Sequence, residues 1–242
     1  MAIFVLSDSV SLFPDPRLAD SDGLLAVGGD LSEERLLAAY RAGIFPWFSG
    51  PEPILWWSPD PRLVLFPDRL KVSRSLRRLM NRGTFTFTID AAFDDVIKSC
   101  AGVRIENGED TWLGDDMIDA YCRLHRAGYA HSVETWHDGA LAGGLYGVTI
   151  GRCFFGESMF TRVSNASKAA LVKLVELLEA HGFEMIDCQV TTAHLQSLGA
   201  VEIERELFLR LLEKAVEQPP LPGLWDINGG LFFSGRCRSC CG

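Results

Sequence analysis

Residues 141–190 read LAGGLYGVTIGRCFFGESMFTRVSNASKAALVKLVELLEAHGFEMIDCQV, a pattern of strand, turn, strand, polar loop, helix and strand. Leu141 to Val148 makes the first strand, and a glycine turn at Ile150-Gly151 leads into the second, Arg152 to Phe155. Gly156-Glu157-Ser158 interrupts an apolar and aromatic run, delivering a carboxylate to the end of a strand that otherwise reads as buried. Ser164-Asn165 offers N-cap oxygens, Leu171, Leu174, Val175 and Leu178 share one helical face, and Gly182 suits the C′ stop. An amphipathic helix packed on a sheet is expected. The return strand, Glu184 to Val190, carries Asp187 and Gln189 two apart, hence on one face with Cα atoms about 6.5 to 7 Å apart, and Ile186, Cys188 and Val190 on the other. A half-exposed strand alternates in the same way. Against that plain explanation stand the crossover helix, after which parallel strands are usually covered on both faces, and the cost of burying an unpaired carboxylate. Asp187 needs a reason to be there.

The pattern extends upstream. Ala130 to Trp136 is a strand joined to this unit by a hairpin turn at Asp138-Gly139, and Asp115 to Arg126 is a helix stopped by Gly128. Before them come a polar loop at Glu106 to Asp110 preceding Thr111-Trp112, a helix over Ala91 to Ala101 with Phe93, Val96 and Ile97 inward, and a half-buried strand, Thr84 to Asp90. With a further strand at Leu63 to Phe66, ended by Pro67, residues 63–242 form one mixed α/β (α+β) domain. Residues 1–62 form a small N-terminal domain. It has an extended segment at Phe13-Pro14-Asp15-Pro16 and a strand at Gly23 to Val27 turned by Gly28-Gly29. A helix through Tyr40 follows, capped by Asp30 with Glu33 and stopped by Gly43. The stretches Ile44-Phe45-Pro46-Trp47-Phe48 and Trp56-Trp57-Ser58-Pro59-Asp60-Pro61-Arg62 are too rich in aromatics and prolines for ordinary core. They suit either an interdomain cluster or a platform for stacked bases or a lid.

The 242 residues are ample for a substantial core, and 48% hydrophobic content is ordinary for a globular protein. No apolar run reaches membrane-span length and the N-terminus lacks signal-peptide features, so a soluble cytosolic protein is expected. Seven cysteines, of which Cys100, Cys122, Cys153 and Cys188 sit in apolar-periodic segments, do not make a disulfide framework. The tail Cys237-Arg238-Ser239-Cys240-Cys241 has no second ligand pair at zinc-site spacing, so no metal is expected. Net charge is −9, yet Arg69 to Arg82 holds six basic residues and no acidic one. If Val72 to Asn81 is helical, Arg74, Arg77, Arg78 and Arg82 share a face. That face is either simply solvated or a phosphate contact that relieves its self-repulsion.

Six blocks in order, GLLAVGGDLS at 23–32, AYRAGIFPWF at 39–48, WWSPDPR at 56–62, GESMF at 156–160, SNASK at 164–168 and IDCQ at 186–189, resemble the bacterial leucyl/phenylalanyl-tRNA-protein transferases over nearly the whole chain. The resemblance implies a C-terminal domain of the Gcn5-related N-acetyltransferase (GNAT) fold. It also implies transfer of Leu or Phe, and less readily Met, from aminoacyl-tRNA to the α-amine of proteins beginning with Arg or Lys, which marks them for N-degron proteolysis. By the same resemblance the catalytic residues fall on Asp187, Gln189 and Glu157, and the amino-acid pocket on Leu145, Phe154, Met159 and Leu171. The tRNA 3′-end aromatics fall on Trp47 and Trp112, and the contacts to the tRNA body on Lys71, Arg74, Arg77, Arg78 and Arg82. Position 145 is Leu where some relatives carry Met, a volume-similar exchange. No cofactor is implied, a monomer is expected, and the tail after Leu231 matches no block.

The implied chemistry is undemanding. An aminoacyl ester is already activated, and an α-amine of pKa about 7.7 to 8.0 is partly neutral near pH 7. Holding amine and carbonyl in near-attack geometry supplies up to roughly 7 to 11 kcal/mol in well-oriented systems. The expectation is that Asp187 polarises Gln189 or takes the proton through it, Gln189 holds the amine, and Glu157 orients an ammonium group. A coenzyme-A-dependent acyltransferase is the nearest rival, but Thr161-Arg162-Val163-Ser164-Asn165-Ala166 lacks the glycines of a pyrophosphate loop. A non-catalytic tRNA-binding module leaves Asp187, Gln189 and Glu157 without a task.

Overall fold

The computed structural model describes residues 3–7, 12–50, 53–106, 113–221 and 223–225, the side chains of 104–106 excepted. The first part of the chain contributes strands β1 (Phe4–Leu6) and β2 (Leu24–Gly28), helix α1 (Glu33–Arg41), and strands β3 (Phe45–Pro46) and β4 (Leu55–Trp57). These strands form a four-stranded sheet in the order β1-β2-β4-β3. Ser32, not Asp30, caps α1: its hydroxyl accepts the Arg35 N–H at 3.3 Å, while Asp30 accepts the Ser32 N–H at 2.8 Å and shapes the approach. Glu33 and Glu34 sit in the first turn, favourable to the helix dipole. Gly43 ends the helix at φ +74°.

The next elements are β5 (Arg62–Leu65), α2 (Arg74–Asn81), β6 (Thr86–Ile89), α3 (Phe93–Glu106), α4 (Asp115–Arg126), β7 (Ala130–His137), β8 (Ala140–Ile150) and β9 (Cys153–Thr161). They are followed by α5 (Ala166–Ala180), β10 (Met185–Gln189), α6 (Ala193–Ser197), β11 (Val201–Ile203) and α7 (Arg205–Val216). The second sheet has seven strands, ordered β11-β5-β10-β9-β8-β7-β6. As expected, β10 returns parallel to β9 after the crossover helix, and β7 and β8 meet through Asp138 and Gly139, both at positive φ as a type I′ turn requires. The chain is therefore of mixed α/β class. The expected polar loop at Gly156-Glu157-Ser158 is instead part of β9. Tyr146 pairs with Ser158 and Gly147 with Gly156, which leaves Glu157 as the extra residue of a β-bulge. A second bulge falls in β10, where Val64 faces Asp187 and Leu63 faces Gln189, leaving Cys188 unpaired and Gln189 at φ +63°.

Helix α5 packs on the sheet as expected, but its opposite side is covered too. Leu171, Leu174, Val175 and Leu178 join the core of the sheet, while Ala166, Ala169 and Val172 are covered by Leu76 and Met80 of α2, so the helix is buried almost all round. Asn165 makes no side-chain cap bond; Thr161 Oγ1 accepts the Ser167 N–H instead, at 3.1 Å. Helix α2 rests on Leu76 and Met80 and turns Arg74 and Arg78 outward, with Arg82 exposed just past its end and Arg77 half-buried. One apolar cluster runs through both sheets, from Leu25, Leu36, Tyr40 and Trp56 to Val64, Tyr121, Phe155 and Phe208. Elements α6, β11 and α7 add to the strands and helices expected from the sequence pattern. The expected 106–110 loop in its main part, Trp112 and the cysteines of the tail lie outside the described residues.

Candidate active site

A cavity of about 320 Å³ opens where β8, β9, α5 and β10 meet the end of the small sheet. Leu145, Phe154, Met159 and Leu171 all line it, together with Leu174, Ile186 and Leu195, and Phe45, Pro46 and Trp47 close one side. Trp47 stands at the rim, 42% exposed, its ring tilted on Trp57. Glu157, Cys188 and Gln189 supply polar atoms to the wall. None of Lys71, Arg74, Arg77, Arg78 and Arg82 reaches it; they lie on and beside α2, which covers α5 from outside.

The β9 bulge turns Glu157 into this cavity, and three groups hold it. Tyr40 Oη and Gln189 Nε2 each donate to Oε1 at 2.8 Å, and Tyr121 Oη donates to Oε2 at 2.8 Å. The two phenols, both buried, also touch each other. Three contacts among Tyr40, Tyr121 and Glu157 need three protons, and the phenols bring two. The ring is complete only when the carboxyl is protonated. Burial pushes this carboxyl up and the Asp187 charge adds to it, the hydrogen bonds from Tyr40, Tyr121 and Gln189 pull it down, and the balance stands at about 7. Burial and the Glu157 charge drive both tyrosines well above their ordinary range, so they remain donors.

Asp187 does not face the cavity. Arg62 Nε donates to Oδ1 at 2.8 Å and Nη2 to Oδ2 at 2.6 Å, and both side chains are sealed from solvent. The guanidinium is sandwiched between the rings of Phe45 and Phe208, 4.8 and 4.5 Å from its carbon. Asp187 Oδ1 also accepts the Gln189 backbone N–H at 2.9 Å. The simple alternation expected for β10 therefore fails: the bulge at Cys188 and the left-handed Gln189 swing Gln189 to the cavity beside Ile186 and Cys188. Burial and the nearby Asp187 charge raise the Cys188 thiol far above neutrality, which disfavours the thiolate that a nucleophile needs.

Tyr40, Tyr121 and Arg62 are the groups that sequence reasoning missed. Arg62 closes the WWSPDPR block, and the unexplained Asp187 was the signal that a buried cation stood somewhere. Among the described residues Asp90, His125 and His131 cluster closely enough to suggest a metal, but hydrogen bonds account for them: His131 Nδ1 is 2.7 Å from Asp90 Oδ2 and His125 Nδ1 is 2.8 Å from the Ala130 carbonyl.

Comparison with known proteins bears on this arrangement. A curated leucyl/phenylalanyl-tRNA–protein transferase of Syntrophobacter fumaroxidans is 57% identical over 242 residues, covering 100% of this chain and 99% of its own. One from Desulfatibacillum aliphaticivorans is 59% identical, covering 94% and 97%. Among solved structures, the L-PGS structure from Bacillus licheniformis overlaps 70% of this chain and 54% of its own at 11% identity and a TM-score of 0.39, too slight a likeness to carry an argument. The family model described as leucyl/phenylalanyl-tRNA protein transferase matches residues 64–213, and that of its N-terminal domain matches residues 29–60. With the family model over more than half its length and such relatives end to end, this chain belongs to the leucyl/phenylalanyl-tRNA protein transferase family.

Proposed function

We propose that the chain is an aminoacyltransferase that moves Leu or Phe, and less readily Met, from aminoacyl-tRNA to the α-amine of proteins beginning with Arg or Lys, marking them for N-degron proteolysis. The observation that carries this reading is an apolar pocket ending on one carboxylate poised near neutrality, beside a cysteine whose thiol stays protonated. The pocket takes the side chain of the aminoacyl group. Trp47 at its rim stacks the tRNA 3′ end, as does Trp112, and the basic residues on and beside α2 meet tRNA phosphates.

Chemistry follows from the hydrogen bonds. Gln189 donates one Nε2–H to Glu157, and its carbonyl oxygen accepts an N–H of the incoming amine. Glu157 takes the proton that the amine nitrogen loses as the C–N bond forms, closing the ring with Tyr40 and Tyr121. The proton then passes to the ribose oxygen as the ester C–O bond breaks. Asp187, expected as a catalytic group, acts through the Gln189 backbone: paired with Arg62, it fixes the left-handed turn that aims Gln189. The protein works as a monomer in the cytoplasm; no helix among the described residues is long and apolar enough to cross a membrane.

The test is transfer of labelled Leu from charged tRNA to peptides beginning with Arg, Lys or Ala, with acetyl-coenzyme A as a parallel donor. Label on the Arg and Lys peptides, from tRNA alone, is expected. Transfer from the coenzyme donor alone would overturn the reading.

A further inference from the structure

We infer that Trp225, on the segment that follows α7, is a positioning residue that sets the depth of the side-chain pocket and so the balance between leucine and phenylalanine. The inference rests on the pocket reading above. The Trp225 indole lies flat on the His131 imidazole, ring centres 4.1 Å apart and planes at 7°, and its centre is 6.1 Å from that of Phe154 at 37°. Phe154 is a wall of the pocket.

Each neighbour of the indole is itself held. Both edges of the His131 ring are tied, Nδ1 to Asp90 Oδ2 at 2.7 Å and Nε2 to the Gly128 carbonyl at 3.2 Å, and Asp90 Oδ1 accepts the Ser132 N–H at 2.7 Å. His131 is thus a fixed shelf. The segment carrying Trp225 is fastened by Arg152 Nη1 donating to the Pro219 carbonyl at 3.0 Å and by Leu224, buried in the apolar cluster that contains Phe154. On the Phe154 side, Gly147 leaves room where a Cβ would stand 2.5 Å from ring carbon Cε1 and 2.6 Å from Cζ. The phenyl ring therefore packs on bare backbone on one side and meets the half-buried indole, itself stacked on His131, on the other. Without the indole the ring gains space to turn away, and the pocket lengthens by part of a ring. A larger aminoacyl side chain then gains over a smaller one.

The experiment compares kcat/KM for Leu-tRNA and Phe-tRNA with an Arg-initiated peptide in wild type, Trp225→Ala, Trp225→Phe and Met159→Ala. The Phe-to-Leu ratio should rise roughly tenfold in Trp225→Ala, the low end of the scale on which a one-methylene difference in apolar fit is discriminated. Trp225→Phe, which keeps a ring for both contacts, should stay near wild type. The ratio is insensitive to how much enzyme is folded. If Trp225→Ala is insoluble, Trp225→Leu fills volume without a plane and should raise the ratio in its place. A shifted ratio in Met159→Ala with none in the Trp225 variants would overturn the inference and leave the pocket reading standing. No shift in any of them would overturn both.

Discussion

Glu157 owes its raised proton affinity chiefly to burial, against three hydrogen bonds that pull it down. Its ordinary value is 4.5 and its folded value about 7. Between those two pH values the unfolded chain has released this proton while the native state retains it, so the wild type should lose stability relative to Glu157→Gln as pH rises from 4.5 to 7 and run parallel outside that window. Denaturant titrations of both proteins across about pH 4 to 8 read this directly. With Glu157 as the proposed base, catalysis should run the other way, because that base must be ionised. Log kcat/KM for the acceptor peptide should climb with a slope near two below about pH 7, one proton from Glu157 and one from the amine. Glu157→Gln should be slower by about 10²- to 10⁴-fold with a slope of one. Asp187 makes the complementary case. Asp187→Ala strands a sealed guanidinium and should cost about 3–5 kcal/mol in urea unfolding, whereas Arg62→Met with Asp187→Leu should recover most of that stability without recovering turnover. At this scale the oddity of Asp187 and the carboxylate at Glu157 were legible from residue type, whereas spacing put Gln189 on the Asp187 face and the bulge at Cys188 turns it to the other. The tyrosines were not legible, since a lone Tyr on an apolar helix face looks like core, and 81 residues separate Tyr40 from Tyr121.

Most helices and strands were legible because their periodicity and stop signals are local: α4 and the β7–β8 turn fall where Gly128 and Asp138-Gly139 place them. The bulges were not. Gly156 and Glu157 look alike whether the strand ends or merely takes in an extra residue, and only the register against Tyr146 and Gly147 decides. Likewise α5 carries a clear apolar face, but its small residues Ala166 and Ala169 gave no hint that α2 would cover them. That covering leaves α2 with a free basic flank. Arg74→Glu with Arg78→Glu should raise KM for aminoacyl-tRNA with kcat nearly unchanged. The same pair should lower the slope of log affinity against log salt by about one for each phosphate that is no longer neutralised, measured by filter binding over a salt series.

The two sheets pack against one another. Their apolar cluster is continuous, Arg205 ties α7 back to the Ser58 carbonyl at 2.6 Å, and Gly43 sits so close under Phe208 and Leu209 that a Cβ would meet them at 2.9 and 2.8 Å. Calorimetry should show a single unfolding transition, and the loss of transfer activity should coincide with it. Two separated transitions would mean that the small sheet folds independently.

The place of β5 has a consequence for how the protein is born. It lies between β10 and β11, and Arg62 reaches the ribosome exit 125 residues before the Asp187 that will neutralise it. Throughout that interval the nascent chain carries Arg-Leu-Val-Leu, every residue of which ends up sealed, with neither hydrogen-bonding neighbour yet made. Closing so long a loop is slow, and an unpaired apolar strand invites sticking while it waits. Until β10 arrives the growing polypeptide therefore carries an unpaired apolar strand, and the same strand that later holds β10 in place is a vulnerable stretch during synthesis.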